Sequence, residues 1–349
     1  MAEVQAEQAI VNTETIVQEI LSHIDRERER EIIARRFGLF DRKETLEQIG
    51  ELLNITRERV RQLEKSVLAR LQTNAEEGDL PHMQGLEGML VRELQELGTI
   101  ARVTDLSARL TAENSRTDQS RIAFLARLCP QLVVIEDNDD FCQAVGIAKV
   151  RDEKHVKSDI ASLVAAIKKV GEPTSIDQVA SAVGGNEAEA QALASVSKSL
   201  ATLNGRWGLV KWSMVNPKNI RDKIYVILKE HGKHMHFNEI AEAIKQSDFK
   251  RKDVTTQAIH NELIKDKRFV LIGRGIYALK EWGYAKGTVA DIITEVLREA
   301  GEPLHRDEIV KRVLKSRFVK ETTILLNLQG KPQFKRVAKA TYNLEEAIE

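Results

Sequence analysis

The sequence predicts a mainly α-helical protein, in which one N-terminal helical unit precedes about four tandem helical modules that each end in a short β-hairpin. Two observations lead to this fold class. Apolar residues recur at helical spacing over residues 14–72, with breaks at residues 37–39 and around Asn54. Beyond residue 85 one pattern repeats: a helix ends at a glycine, and an apolar residue follows eight positions later in a second short helix. A length of 349 residues agrees with several modules.

The charge of the chain is unevenly distributed. Its 53 Lys and Arg residues balance 53 Asp and Glu residues, which by itself argues against phosphate binding. Residues 218–286, however, contain 15 basic and 9 acidic residues, whereas residues 76–217 contain 15 and 20. The sequence therefore predicts an acidic centre followed by a basic module.

The compartment is predicted from what the sequence lacks. Cys129 and Cys142 are too few for a disulfide framework and lack the paired spacing of a zinc site, so both are predicted to be core residues in a reducing cytosol. The first 20 residues lack a basic, apolar leader, and no apolar stretch reaches the roughly 18 residues of a membrane span. We expect a cytoplasmic, nucleoid-associated protein with no membrane partner.

The most informative element is a predicted helix-turn-helix over residues 45–71, TLEQIGELLNITRERVRQLEKSVLARL. Thr45 and Gln48 form a capping box, and Ile49 belongs to a buried stripe with Leu46 and Leu52 or Leu53. Gly50 is expected to allow close approach of the next helix. Asn54 suits a left-handed turn, and Thr56 caps the second helix.

The second helix of this motif has two different faces. Val60, Leu63, Val67 and Leu71 fall on one side, while polar side chains suited to reading bases fall on the other. The polar residues are Arg57 at the tip, then Glu58, Arg61, Gln62 and Lys65. A solvated charged face is the alternative interpretation.

The stretch RERERE at residues 26–31, IIARRFGLF at residues 32–40 and TLEQIGELLNITRERVRQLE at residues 45–64 resemble region four of the sigma-70 family. That region binds the minus-thirty-five promoter element and docks on the flap of the RNA polymerase beta subunit. The resemblance, which covers about residues 14–72, implies that base edges are read by Arg57, Glu58 and Gln62. It implies phosphate contacts for Thr56, Arg59, Arg61 and Lys65. No aromatic, basic promoter-melting segment is found, so a complete sigma factor is not expected.

The repeats begin at Gly98, Gly171, Gly232 and Gly301, at spacings of 73, 61 and 69 residues, and each ends in an apolar or aromatic run. Helix, glycine turn, two helices and a hairpin is the layout of a winged helix. The alternative is a set of unrelated helical domains with coincidental glycine caps. The predicted segments are residues 14–74, 85–148, 155–214, 218–283 and 286–347.

Residues 220–282 resemble the HARE helix-turn-helix domain, a winged-helix type, through IYVILKEHGKHMHFNEIAEAI, TTQAIHNELIKD and RFVLIGRGIYALKEW. In its third helix Ile259 and Leu263 are predicted to point inward and the polar residues outward. This basic module is the second DNA candidate, and protein binding is the open alternative. Its candidate DNA contacts are Lys250, Arg251, Lys252, Gln257, His260, Asn261 and Arg274.

The other modules favour different roles. The hairpin of the segment at residues 85–148 carries Glu136, Asp137, Asp139 and Asp140, which repel phosphate, so protein contact or spacing is predicted. The third helix at residues 155–214 is rich in Ala and Ser, which favours packing. A backbone contact by the last segment is suggested only by Lys331, Lys335, Arg336 and Lys339.

No catalytic motif, cofactor loop or small-molecule site is recognised in the sequence. His234 and His236 are interpreted as a solvated turn rather than a metal site, and Gly273 and Gly275 as tight-turn residues. We therefore predict a non-enzymatic DNA-binding transcription protein without metal or cofactor. Its partners would be promoter duplex DNA and, by resemblance, core RNA polymerase. A regulator without polymerase contact and an interaction scaffold that does not bind DNA remain alternatives.

Overall fold

The computed structural model describes residues 10–284 and 286–345. The described residues are mainly helical and include small antiparallel sheets, so the predicted fold class is confirmed at that level. They divide after Lys211 into two compact units. Residues 346–347 of the last predicted segment, and the first nine residues of the stretch inspected for a leader, lie outside the described residues.

The N-terminal part consists of helices, as the apolar spacing predicts. The helices are α1 (Thr13–Ser22), α2 (Glu27–Phe37), α3 (Leu46–Leu53) and α4 (Arg57–Glu77). The breaks occur at the predicted places, since α2 ends at left-handed Gly38 and α3 at left-handed Asn54. The first predicted segment ends at residue 74, but α4 continues to Glu77 and buries Ala75.

Beyond residue 82 an order of helix, strand, two helices and two strands occurs four times. The first set is α5 (Met83–Leu97), β1 (Ile100–Arg102), α6 (Val103–Leu110), α7 (Arg116–Leu128), β2 (Leu132–Ile135) and β3 (Ala144–Ile147). The second is α8 (Glu153–Val170), β4 (Thr174–Ser175), α9 (Ile176–Val183), α10 (Glu187–Val196), β5 (Leu200–Leu203) and β6 (Arg206–Leu209). The division of the chain into independent modules at the predicted boundaries stays a prediction.

The other two sets lie in the second compact unit. The third is α11 (Ile220–His231), β7 (Met235–His236), α12 (Phe237–Gln246), α13 (Thr256–Lys265), β8 (Phe269–Gly273) and β9 (Ile276–Leu279). A short 3₁₀ turn at Lys280–Trp282 follows it. The fourth is α14 (Val289–Ala300), β10 (Leu304–His305), α15 (Arg306–Ser316), α16 (Glu321–Gly330), β11 (Phe334–Ala338) and β12 (Thr341–Leu344).

Each set forms an antiparallel three-stranded sheet in which its last strand lies in the centre. The strand orders are β1-β3-β2, β4-β6-β5, β7-β9-β8 and β10-β12-β11. The sequence predicted the hairpins but not the first strands, such as Thr174–Ser175, whose Thr174 pairs with Trp207. Two residues are too few to produce a period-two pattern.

The N-terminal helices and the first set share one hydrophobic core. Buried residues of α1, α2 and α4, among them Ile20 and Leu71, pack in the same cluster as Phe124 of α7. The ring centroids of Phe37 and Phe124 are 5.2 Å apart. The nearly buried Arg121 adds polar contacts, because its guanidinium donates to the carbonyl of Leu39 at 2.8 Å. The segment that follows the helix-turn-helix therefore supplies a helix, α7, that packs against it.

The third helix of the second set, α10, is covered by the first set. Backbone Cys142 donates to the carbonyl of Val196 at 2.9 Å, and Phe141 forms a bridge with Ser197. The acidic hairpin takes part, since Asp137 lies 3.0 Å from the ammonium of Lys198. The small residues of α10 thus serve packing, as predicted from its Ala-rich sequence. They include the buried Ala190, Ala192 and Ala194.

In the second unit a segment of the fourth set closes the edge of β8. The backbone N–H of Phe318 donates to Ile272 at 3.2 Å, and Gly273 lies so close that an added Cβ would be 2.9 Å from the Phe318 carbonyl. The ring of His234 packs 4.4 Å from that of Phe318. His234 and His236 are half-buried, so the prediction of a solvated turn is wrong for both.

Two further predictions concern single residues and membrane spans. Cys129 is buried, as predicted, but Cys142 is only half-buried and is not a full core residue. Within residues 10–284 and 286–345, no helix has the length and apolar character required to span a bilayer.

Candidate nucleic-acid interface

The turn between α3 and α4 is fixed by its capping residues. Thr45 and Gln48 form the predicted capping box, with reciprocal hydrogen bonds of 2.9 and 3.2 Å. Asn54 adopts φ 58°, and Thr56 begins α4 by accepting a hydrogen bond from the Arg59 N–H at 3.2 Å. These bonds satisfy backbone donors that the helix ends would otherwise leave unpaired.

Gly50 is where α3 and the chain entering α4 come closest. A Cβ built on Gly50 would lie 2.7 Å from the carbonyl oxygen of Ile55, which is too close for a methyl group. The predicted role of this glycine is confirmed, although its partner is the turn rather than the body of α4.

The buried face of α4 anchors it on both of its neighbours. Val60 packs with Ile32 and Ile49 in a small cluster, whereas Val67 and Leu71 belong to the shared core. Leu63 is half-buried. In α3, Leu53 is half-buried and Leu52 is 54% exposed, so of the two it is Leu53 that continues the buried stripe. This packing leaves only the polar face of the N-terminal turns of α4 exposed to solvent.

The predicted DNA-contacting residues all lie on this solvent-exposed part of α4 and its cap. Every one of them is classed as exposed: Thr56, Arg57, Glu58, Arg59, Arg61, Gln62 and Lys65. Arg57 and Lys65 take part in no ion pair within the described residues. Arg57 also borders a shallow depression formed with Glu47, Glu51 and Asn54.

Four of these side chains form a hydrogen-bonded network. Arg61 makes two hydrogen bonds to the Glu58 carboxylate, at 2.8 and 2.7 Å. Gln62 donates to Glu58 at 3.4 Å and accepts from Arg59 at 3.4 Å. The hydrogen bonds from Arg61 lower the pKa of Glu58, and the same contact raises the pKa of Arg61. Both charges are therefore present.

Other charged residues of this segment are structural. Arg36 of α2 lies 3.2 Å from Glu64 of α4, and the buried Glu29 binds Arg70. A hydrogen bond also joins the Arg28 guanidinium to the carbonyl of Leu53. These contacts hold α2 against α3 and α4, which explains much of the high charge density of residues 26–36.

This geometry, a capped turn followed by a helix with an exposed polar face, defines a helix-turn-helix. A family model for sigma-70, region 4, matches residues 26–73, so the predicted resemblance is confirmed for this segment. Region 4 is a DNA-binding, transcription-related domain and is not enzymatic.

Three sigma factors are among the curated proteins similar to this segment. The RNA polymerase sigma factor RpoD of Helicobacter pylori is 46% identical over 59 residues, which are 16% of this chain and 9% of that protein. SigA1 of Synechococcus elongatus is 52% identical over 46 residues, 13% and 12% of the two chains. RNA polymerase sigma factor sigB of Arabidopsis thaliana is 48% identical over 46 residues, which are 13% of this chain and 8% of that protein. The chain thus spans about a tenth of the length of these relatives.

The second predicted DNA surface begins with the loop that carries Lys250, Arg251 and Lys252. Arg251 has φ 59°, and the loop is held from beneath by Lys223, whose ammonium donates to the carbonyls of Lys250 and Arg251 at 2.9 and 2.7 Å. Lys223 is 5% exposed, and burial, reinforced by the charge of Arg251, lowers its pKa. Sequence reasoning missed Lys223, although its position three residues after Ile220 and four before Ile227 places it on the apolar stripe of α11.

The helix α13 presents only part of the predicted polar set. Gln257 and Asn261 are exposed and hydrogen-bonded to each other at 3.1 Å. His260 is half-buried, with its ring 5.0 Å from that of Phe237 and 6.1 Å from that of Tyr277, so the prediction that it points outward is wrong. Arg274 is exposed beside Gly275, whose φ of 70° confirms the predicted tight turn for that glycine, whereas Gly273 is the last residue of strand β8.

Proposed function

We propose that this chain is a DNA-binding transcription protein that recognises a minus-thirty-five-type promoter element through α4 and contacts RNA polymerase. The observation that carries the proposal is the exposed polar face of α4, within the segment that matches sigma-70 region 4. In this proposal Arg57, Glu58 and Gln62 read base edges. Thr56, Arg59, Arg61 and Lys65 hold phosphates.

We further propose that the four repeated sets are winged-helix modules with the boundaries predicted from sequence, of HARE type at residues 218–283. The covered α10 and the acidic hairpin beside it support packing or protein contact by the first two modules. The cationic loop at residues 250–252, in which Lys250 and Arg251 are exposed and Lys252 is half-buried, supports DNA contact by the third.

The test compares duplexes with and without the hexamer, using the intact protein and an Arg57→Ala, Gln62→Ala variant. Losing two base contacts should weaken hexamer binding by about tenfold or more while leaving binding to an unrelated duplex much less affected. An Arg206→Ala, Gln191→Ala variant is the matched control, because it removes the same residue types from exposed positions of the second set. Equal affinity of the wild type for both duplexes would overturn base readout by α4.

Polymerase contact requires accessible surface on the helix-turn-helix unit. One apolar side of α1, α2 and α4 is already covered by α7, through the shared core. The exposed apolar residues that remain on α2–α4 and their loops are Phe40, at 44%, and Leu52, at 54%. We therefore place the polymerase contact at Phe40 and Leu52.

Co-elution with core polymerase tests this step. The wild type should co-elute, and a Phe40→Ser, Leu52→Ser variant should not, although its hexamer preference is retained. Co-elution that survives both substitutions would place the contact elsewhere.

A second candidate function is a sequence-specific regulator that makes no polymerase contact. The covering of the helix-turn-helix unit by α7 favours it, because the chain itself occupies that apolar surface. Under this alternative the hexamer preference persists and no core polymerase co-elutes with the wild type.

A further inference from the structure

The hairpin of the fourth set, residues 331–344, concentrates positive charge. It contains four basic residues and no acidic one. The basic residues are Lys331, Lys335, Arg336 and Lys339. Glu345 follows the hairpin at the end of β12, away from the turn at Lys339 and Ala340.

The corresponding hairpins of the other sets differ sharply in charge. Between the start of the first hairpin strand and the end of the second, residues 132–147 carry four acidic residues and no basic one, and residues 200–209 and 269–279 carry a single arginine each. On the same bounds, residues 334–344 carry three basic residues and no acidic one, and Lys331 precedes them at the end of α16. A general need for charge on these hairpins therefore does not explain the composition of the fourth. Charges of either sign would also be enough to keep an edge strand from pairing with another chain.

The four cations are available to a ligand. All are exposed, and none takes part in an ion pair within residues 10–284 and 286–345. By contrast, the acidic hairpin of the first set is paired with Arg127 of the same set and with Lys198 of the second. The guanidinium of Arg336 donates to the Ala338 carbonyl at 3.2 Å, which orients this side chain without neutralising it.

The backbone presents these cations along an anchored ribbon. Phe334 is buried in the core of the fourth set, while the other four residues of β11 are exposed. Only β12 pairs with β11, so β11 is an edge strand, and the register shifts between Arg336 and Ala338. Since neighbouring residues of a strand point to opposite faces, Lys335 and Arg336 extend to both sides of the ribbon.

We propose that the β11–β12 hairpin binds the phosphate backbone of duplex DNA without regard to sequence. Long cationic side chains on both faces of an edge strand suit a groove flanked by two phosphate strands. The neighbouring helix α16 supports a backbone contact rather than base readout, because its exposed side chains include no Lys or Arg. They are Glu321, Thr322, Thr323, Leu326 and Gln329.

The experiment measures how the affinity of the intact protein for a duplex lacking the hexamer depends on salt. The test variant carries Lys335→Gln, Arg336→Gln and Lys339→Gln. Its control carries Arg298→Gln, Lys311→Gln and Lys315→Gln, which remove three exposed charges from helices of the same set. Each lost phosphate contact should reduce the slope of log K against log salt by roughly 0.9, so the test variant should lose about 2–3 and the control less than about 1.

Two results would overturn the proposal. One is a test variant with the wild-type slope, and the other is a control that loses as much slope as the test variant. A loss confined to single-stranded RNA or to an acidic polypeptide, with duplex binding intact, would likewise contradict it. Lys339→Gln alone is a second test variant, for the case that the triple variant does not fold. It lies at the turn and should lower the slope by roughly 0.9.

The same slopes are measured in the Arg57→Ala, Gln62→Ala background. If the hexamer preference of α4 fails but the slope change remains, the proposed promoter recognition is wrong and the hairpin site stands. If the wild type prefers the hexamer and the hairpin variant keeps the wild-type salt slope, only the proposal of the hairpin site is wrong.

Discussion

Glu58 is the centre of a hydrogen-bonded group on the exposed polar face of α4. Its carboxylate binds Arg61 through two hydrogen bonds and also accepts from Gln62. The sequence predicts that these side chains lie on one face of the helix, because the helix turns by about 100° per residue. It could not predict that three of them bind one another, since rotamers depend on the surrounding surface.

Replacing Glu58 by Gln should free Arg61 and remove a negative charge from the exposed polar face of α4. We expect tighter binding to an unrelated duplex, a smaller preference for the hexamer, and little change in the free energy of unfolding, because the site is exposed. Since Arg61 lowers the pKa of Glu58, the wild-type carboxylate stays charged below the usual glutamate range. Hexamer preference should therefore be steady between about pH 5 and 7. Unchanged affinity of the variant for the unrelated duplex would contradict this account.

The two cysteines should differ in reactivity. Burial raises the pKa of Cys129 to about 12, and its thiol donates to the Leu125 carbonyl at 3.4 Å, whereas Cys142 is half-buried. In folded protein at mildly alkaline pH, alkylation followed by mass spectrometry should label Cys142 first. A Cys142→Ser variant should become labelled only after denaturation.

The raised pKa of Cys129 also makes the stability of the protein depend on pH. Because the folded protein keeps the Cys129 proton when the unfolded chain has lost it, this thiol lowers stability as pH rises above its ordinary range near 9. A Cys129→Ala variant would lack this contribution to the alkaline decline. Equal alkylation of both cysteines in the folded protein would show that Cys129 is accessible, which would contradict both the labelling order and this pH dependence.

At the level of elements, local patterns predicted the helices well and the contacts between them poorly. Capping residues and Gly50 define the helix-turn-helix through neighbours only a few positions away, so the sequence contains the necessary information. The covering of α10 by the first set depends on residues more than 40 positions earlier, such as Phe141 opposite Ser197. Its Ala-rich composition indicated packing but not the partner.

Gly50→Ala should destabilise the protein by about 1–3 kcal/mol, because the new methyl group would lie 2.7 Å from the Ile55 carbonyl. Loss of hexamer binding should accompany the shift, since the turn positions α4. Gly88→Ala in α5 is the matched control: nothing lies within 4 Å of its added Cβ. There the better helix propensity of Ala should stabilise by about 0.5–1 kcal/mol. Thermal unfolding of the two variants would test the contrast, and an equal effect would contradict it.

At the level of the whole molecule, charge and packing divide the chain differently from the predicted segments. Residues 212–349 contain 26 basic and 19 acidic residues, so the two compact units carry opposite net charges although the total is zero. The shared core joins the helix-turn-helix to the segment predicted as a separate module. Apolar periodicity identified both sets of buried residues, but periodicity does not specify which apolar faces meet.

Residues 10–78 alone should therefore fail to fold cooperatively. Without α5–α7, Val17, Ile20 and Leu71 would lose much of the core that buries them. Residues 10–211 retain the whole core and should show a sigmoidal thermal transition by circular dichroism, with hexamer binding retained. A cooperative transition of the shorter fragment would contradict the energetic importance of the shared core.

The shared core also sets an order of events during protein synthesis. Ala75 is the last α4 residue in that core, and Val145 of β3 is its most C-terminal fully buried member. At about 5–20 residues per second, the ribosome needs roughly 4–14 s to add the residues between them. During this interval the nascent α4 lacks its complete support. The chain should therefore gain DNA affinity only after the first repeated set has emerged and folded.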